Sequence, residues 1–385
     1  MGYIFQFQYE DESGLRTIGS LRDEQVLGPD GKLHIPKIYE TVLLNIEGEK
    51  RGFMVKSRRT VAQGRNVLVN FIVTDIPGKD TNEYMLGCHL KPEPKHHEFK
   101  LIRPITSADM DIINVSLKKL GDFGSCCTLY EICEKNYKSI LSYHVTIKDD
   151  FPPNRHRSYE YMEEAFQEMN RLLLNYLSSF KTFIDHLTTR YARLQRQGHT
   201  FLDDFKKLTA ACYDGNFSYR FFSKLRDYVQ HCGLPLDSID ISEYPDQKGE
   251  VIIKVSITID RDNLISSYKK WGNVRSDLQS QPRNMELLPY LDGFQSQIQL
   301  ISLGVSAFEI SLATDSWHII DKLVRETQDK HPNGRPFIGR YEEHGGQRKL
   351  HVIEFPFHTM VKFQETINKV QDFQNRQKMQ GRAAT

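Results

Sequence analysis

The sequence predicts an α+β chain: an N-terminal β-rich small barrel or sandwich, then a mainly helical domain carrying a small β insertion or hairpin. Three observations carry this expectation. Phe5, Phe7 and Tyr9 alternate with Gln6, Gln8 and Glu10, the period of a half-buried strand. From Tyr159 to about Gln197 there is no glycine or proline, and apolar residues recur at helical spacing. Pro152-Pro153 stands between the two patterns as a break. At 385 residues the chain exceeds one ordinary core. Its expected divisions are a β-rich domain (1–105), a mixed connecting segment (106–154), a helical core (155–248), a helical continuation with a small sheet (249–377) and a frayed tail (378–385).

Element by element, Asp30-Gly31 predicts a turn, and Thr41–Ile46 with Gly52–Lys56 around Glu47-Gly48-Glu49 a hairpin. Val67–Thr74 and Tyr84–Leu90 supply further strands, while Ser107–Lys148 mixes helix and strand character. Thr200 with Asp203 has the form of a capping box for a helix ending near Tyr213. Asp214-Gly215-Asn216 then turns the chain into a short helix, Tyr219–Cys232, with Ser218 as its N-cap. Glu250–Ile259 alternates as a strand, and helices follow at Leu264–Trp271 and Met285–Arg325. Pro336–Tyr341 and Lys349–Phe355 bracket Gly345-Gly346 as a hairpin, expected to form a small sheet packed on the helical core. A last helix runs from Thr359 to Arg376.

Composition narrows the function classes. Lys and Arg (51) nearly balance Asp and Glu (50), so any nucleic-acid contact has to be local. No apolar run reaches the length of a membrane span, and six scattered cysteines argue against a disulfide framework and for a cytoplasmic setting. Cys126-Cys127 with Cys133 lacks the second ligand pair of a zinc site and reads as buried thiol. Walker, Rossmann, G-x-S-x-G and H-E-x-x-H patterns are all missing from the sequence. Two basic stretches stand out. Arg51, Lys56, Arg58, Arg59 and Arg65 occur with no acid between Arg51 and Thr74, forming either a phosphate-facing patch with Phe53 nearby for stacking or a solvated loop. Arg155-His156-Arg157 leads into the helical core, whose residues 155–232 carry twelve basic against nine acidic side chains.

The most informative stretch is Leu225-Arg226-Asp227-Tyr228-Val229-Gln230-His231-Cys232-Gly233-Leu234-Pro235. Gly233 stands where a left-handed C′ residue is wanted and Pro235 cannot continue a helix, so His231 falls in the last turn, where the helix dipole favours a protonated imidazole. Asp227, one turn earlier, is placed to orient the His231 ring. Arginine to grip a phosphate and histidine to exchange protons are what metal-independent RNA cleavage requires. At about 100° per residue, Arg226 and His231 are roughly 140° apart around the helix, so two copies across a twofold axis close on one phosphate more easily than one copy does.

Arg226, four intervening residues beginning with the polar Asp227, and His231 on a helix that follows a long one resemble the R-x4-6-H signature of the HEPN family, the higher-eukaryote and prokaryote nucleotide-binding helical domains. The resemblance implies a dimeric endoribonuclease of the toxin or antiphage-defence type, with RNA as substrate and an antitoxin or defence-system protein as partner. It implies attack by the ribose 2′-hydroxyl, with His231 as general acid or base and Arg226 on the scissile phosphate. Asp227 would position His231, and Tyr228 and Gln230 would support the site by packing and polar contact. This chemistry calls for no metal or organic cofactor. HEPN-like folds also serve as non-catalytic modules that bind nucleic acid, nucleotide or protein, which is the alternative reading of the same residues.

Overall fold

The computed structural model describes residues 2–11, 14–22, 41–46, 49–63, 66–75, 84–93, 96–150, 158–245, 248, 250–344 and 347–383. The expected turn at Asp30-Gly31, the Pro152-Pro153 break, Arg65, Arg155-His156-Arg157 and Gly345-Gly346 lie outside them. The chain is α+β and divides into two compact units, residues 1–117 with 316–355, and 118–315 with 356–385.

The first unit holds two open sheets. β1 (Gly2–Asp11), β2 (Gly14–Arg22), β3 (Thr41–Ile46), β4 (Glu49–Gln63) and β5 (Asn66–Asp75) form one in the order β2-β1-β5-β4-β3, with β1 and β5 parallel and the other pairs antiparallel. The parallel pair registers Phe7 against Phe71, whose rings stack at 5.0 Å, and Phe5, Val69 and Val73 extend this buried face. The alternation of Phe5 and Phe7 with glutamines is thus the signature of that core. Neither sheet closes into a barrel among the described residues.

The second sheet joins β6 (Tyr84–Glu93) and β7 (His96–Ile105) to β11 (Arg335–His344) and β12 (Gln347–Glu354), in the order β12-β11-β6-β7. The C-terminal hairpin therefore pairs with N-terminal strands, rather than forming the separate small sheet that its position in the sequence predicts. Phe337 and Ile338, successive on β11, are both buried, so this strand is covered on both faces, and Gly87 admits Phe337 across the ladder. A Cβ at Gly87 would stand 2.6 Å from Phe337 Cζ and 2.9 Å from the Lys100 carbonyl oxygen.

Residues 107–149, read as mixed from sequence, are one helix, α1 (Ser107–Asp149). Met110, Ile113, Leu120, Phe123, Cys126, Cys133, Ile140 and Ile147 are its buried apolar positions, all at spacings of three or seven. That stripe is interrupted by Gly121 and Gly124 and spread over many turns, which hides it in a short reading window. The division between the units falls within α1, after Leu117, and within α7 (Leu287–Lys330), after Asp315.

The second unit is built on α2 (Tyr159–Gln195), α3 (Phe201–Gly215) and α4 (Phe217–His231), with α5 (Arg261–Ser267), α6 (Val274–Gln279), most of α7 and α8 (Phe357–Ala383). Its three-stranded sheet has the order β10-β9-β8, from β8 (Ser238–Pro245), β9 (Val251–Asp260) and β10 (Asn284–Glu286). Tyr176, Phe180, Phe183, Leu187 and Tyr191 on α2 pack in a core with Phe222 of α4, Trp271 and Phe294 of α7. Fully burying a large side chain contributes about 1.5–3 kcal/mol, so this aromatic set dominates the unit. α5 ends at Ser267, before the expected Trp271, and α8 continues past the expected end to Ala383.

Candidate functional site

Local chemistry sets the start of α4, though not at Ser218. Asn216 is the N-cap, its Oδ1 accepting from the Tyr219 N–H at 3.0 Å, and Ser218 is buried one residue inside the helix. There Ser218 faces α7, where a Cβ at Gly293 would fall 2.8 Å from the serine Oγ. Thr200 caps α3 in position only, for its side chain makes no capping bond. Arg220 ties the start of α4 down: its guanidinium donates to the Tyr213 and Asp214 carbonyls at 2.7 Å, and to Asp277 at 2.9 Å. The two carbonyls are orphan acceptors at the end of α3, and sequence reading gave Arg220 no role.

The apolar stripe of α4 is fully used. Phe222 stacks on Phe294 at 5.0 Å, Phe221 on Trp271 at 6.1 Å, and Tyr228 on Trp271 at 6.1 Å. Tyr228 is therefore a buried packing residue, with its hydroxyl pushed up by burial first and by Cys232 second. The helix closes with the Cys232 N–H donating to the Tyr228 carbonyl at 2.8 Å. Gly233 follows with φ at 158°, close to extended and outside the left-handed well expected of it. Beyond it Leu236 N–H reaches Oδ1 of buried Asn170 on α2 at 3.4 Å, pinning the exit of the chain.

This frame places the residues of the Arg226–His231 motif unequally. His231 is the last residue of α4 and is exposed, as is Gln230. Arg226 is half-buried, and its Nε is buried without a hydrogen-bond partner. Asp227 does not do what the sequence suggests. Its carboxylate lies 3.6 Å from Arg226 Nη1 and 3.8 Å from Lys224 Nζ. No hydrogen bond or ion pair engages His231 among the described residues, so Asp227 acts on Arg226 and not on the ring.

Of the basic stretch, residues 51–59 belong to β4. Arg58 and Arg59 are exposed but successive, so the pleat sends them to opposite faces. Phe53, expected as a stacking platform, is buried with its ring edge-on to Tyr9 at 5.9 Å. Arg51 and Lys56 also belong to β4. From Arg51 to Arg59 the stretch is strand and not a loop.

A second cluster was missed entirely in the sequence. Arg190 on α2 makes a bidentate pair with Glu309 on α7, 2.8 Å for each bond, and meets Asp122 on α1 at 3.0 Å. Glu309 is only 2 % exposed, and nothing in the pattern around it signals a partner more than a hundred residues away. It borders a cavity of about 350 Å3 among α1, α2, α7 and α8, which Cys126 and Cys127 also line. Burial raises both thiols, Cys127 to about 11, so neither is an activated nucleophile near neutral pH. Among the described residues no group of three or more His, Cys, Asp or Glu is placed to hold a metal ion, and no helix is long and apolar enough to cross a membrane.

Compared with models of known protein families, with curated proteins and with solved structures, the chain matches none.

Proposed function

We propose that the chain is a metal-independent endoribonuclease whose site is composite, Arg226 coming from one copy and His231 from a second. The observation that carries this reading is the buried, unpartnered Nε of half-buried Arg226, on the helix that ends in an exposed histidine. A buried donor left without an acceptor costs about 1–3 kcal/mol, and a phosphate oxygen is the acceptor that a guanidinium fits best. Asp227, 3.6 Å from Arg226 Nη1, restrains the guanidinium by charge.

In the reaction the ribose 2′-oxygen attacks phosphorus and gives its proton to a base. The bond from phosphorus to the 5′-oxygen breaks, and that oxygen takes a proton from an acid. His231 serves as base or acid, and Arg226 stabilises the charge that develops on the phosphoryl oxygens. The products are a 2′,3′-cyclic phosphate and a 5′-hydroxyl. A toxin or antiphage-defence effector acting in the cytoplasm, restrained by an antitoxin or defence-system partner, is the setting that the HEPN resemblance suggests.

The test is RNA integrity after induced expression of the wild type and of His231→Ala at equal levels. Fragments ending in cyclic phosphate from the wild type alone support the reading. Binding of RNA without cleavage by either protein points to the non-catalytic module instead.

A further inference from the structure

Every residue that lines the cavity of about 350 Å3 among α1, α2, α7 and α8 belongs to the second unit. Helical spacing builds the lining. Phe123, Tyr130 and Glu134 on α1 recur at seven and four residues, and Glu365 and Lys369 on α8 at four, so each helix turns one stripe toward the cavity. Burial grades that lining from floor to mouth. Phe123 and Phe183 are buried, Tyr130 and Glu134 half-buried, and Glu365 and Lys369 exposed. The Tyr130 and Phe183 rings adjoin at 6.1 Å with their planes tilted by 56°. The carboxylates are not equally engaged. Both oxygens of Glu309 accept from Arg190, and both oxygens of Glu131 meet Lys362 Nζ, at 2.8 and 2.9 Å. Glu134 pairs at 3.2 Å with Lys138, one turn further along α1, whose side chain is 65 % exposed. The carboxylate of Glu365 makes no ion pair among the described residues, and neither does the exposed ammonium of Lys369.

We infer that this cavity binds a small organic cation, an amine or quaternary ammonium on an apolar body. The body packs on Phe123, Phe183 and Tyr130, and the charge lies toward Glu134 and Glu365. A neutral ligand that covered Glu134 would strip its water without return, and an anion would add repulsion. A cation compensates the carboxylate, and aromatic rings attract it further. An aromatic floor with a few polar groups above it is the ordinary build of a small-molecule site, and 350 Å3 lies at the lower end of the size range, which restricts the ligand to a compact one. The inference is independent of the ribonuclease reading.

The experiment is isothermal titration of the full chain with two cations, phenethylamine and benzyltrimethylammonium, and with the neutral 2-phenylethanol and the anionic 3-phenylpropanoate as matched controls. At least one cation should bind once per chain and about tenfold more tightly than the alcohol, the order expected of one charged contact, while the anion binds more weakly than either. Glu134→Gln with Glu365→Gln keeps the shape and removes both charges. It should abolish the preference for the cation and leave the affinity for the alcohol unchanged. Circular dichroism checks that the double variant folds; if it does not, Glu365→Gln alone, at an exposed position, should lower the preference by about threefold. The inference is overturned if neither cation binds more tightly than the alcohol, or if the preference survives removal of the charges.

Discussion

Asp227 Oδ1 stands 3.6 Å from Arg226 Nη1, on the residue next in the chain, while the histidine one turn further on receives nothing from it. The carboxylate therefore restrains the guanidinium. Asp227→Asn keeps the shape and removes the charge, and cleavage should fall by about tenfold through a looser Arg226, of the order expected for a charged hydrogen-bonded contact. Single-turnover cleavage of an oligoribonucleotide measures this. Unchanged cleavage would remove Asp227 from the site.

The buried pair of Arg190 and Glu309 supports the unit without joining its chemistry. Glu309→Gln leaves a half-buried guanidinium with only Asp122, and should cost about 3 kcal/mol of stability. Urea denaturation of the full chain checks the loss. Replacing both partners by apolar residues, Arg190→Met with Glu309→Leu, should recover most of it, because the desolvation penalty disappears with the charges.

Acid sensitivity has a definite sign at Asp260, the N-cap of α5. Its carboxylate accepts from the Asn263 N–H at 2.9 Å and the Asp262 N–H at 2.7 Å, and Arg283 adds a charge-assisted bond at 3.1 Å. The Asn263 N–H is the largest cause of a value held below that of an ordinary aspartate. A group depressed in the folded state stabilises above its unfolded value, and that stabilisation is lost as pH falls through the folded one. Asp260→Ala should cost about 1 kcal/mol near neutral pH and flatten the decline of stability below about pH 4. Thermal unfolding across a pH series measures both effects.

Gly87→Ala should destabilise the first unit by about 1–3 kcal/mol, since the added methyl meets a ring and a backbone carbonyl that cannot both move aside. Circular-dichroism melts test it, with Gly121→Ala as the contrast: inside α1, where nothing lies within 4 Å of an added Cβ, it should stabilise by about 0.5–1 kcal/mol.

Periodicity revealed the elements whose signal is local. Phe5 and Phe7 and the stripe of α2 follow from two- or four-residue spacings that a short window contains, and the end of α4, at His231 and one residue before the expected Cys232, from Gly233 and Pro235. What escaped was long-range. The pairing of Phe337 on β11 with Gly87 on β6 spans most of the chain, and no local pattern specifies which strands a hairpin joins. At the site, Arg226 and His231 were legible as residue types on one helix, whereas the direction of Asp227 was not. An aspartate four residues before a histidine predicts a neighbour, but the adjacent arginine and Lys224 compete for the carboxylate and win.

The composite site is tested most directly by mixing two inactive proteins, Arg226→Ala and His231→Ala, after joint refolding or co-expression. If arginine and histidine of one site come from different copies, each mixed dimer carries one intact pair. Cleavage should then return to about a quarter of the wild-type level, from random pairing and one working site of two. If mixing restores nothing while the wild type cleaves, both groups act within one copy and the composite site is contradicted.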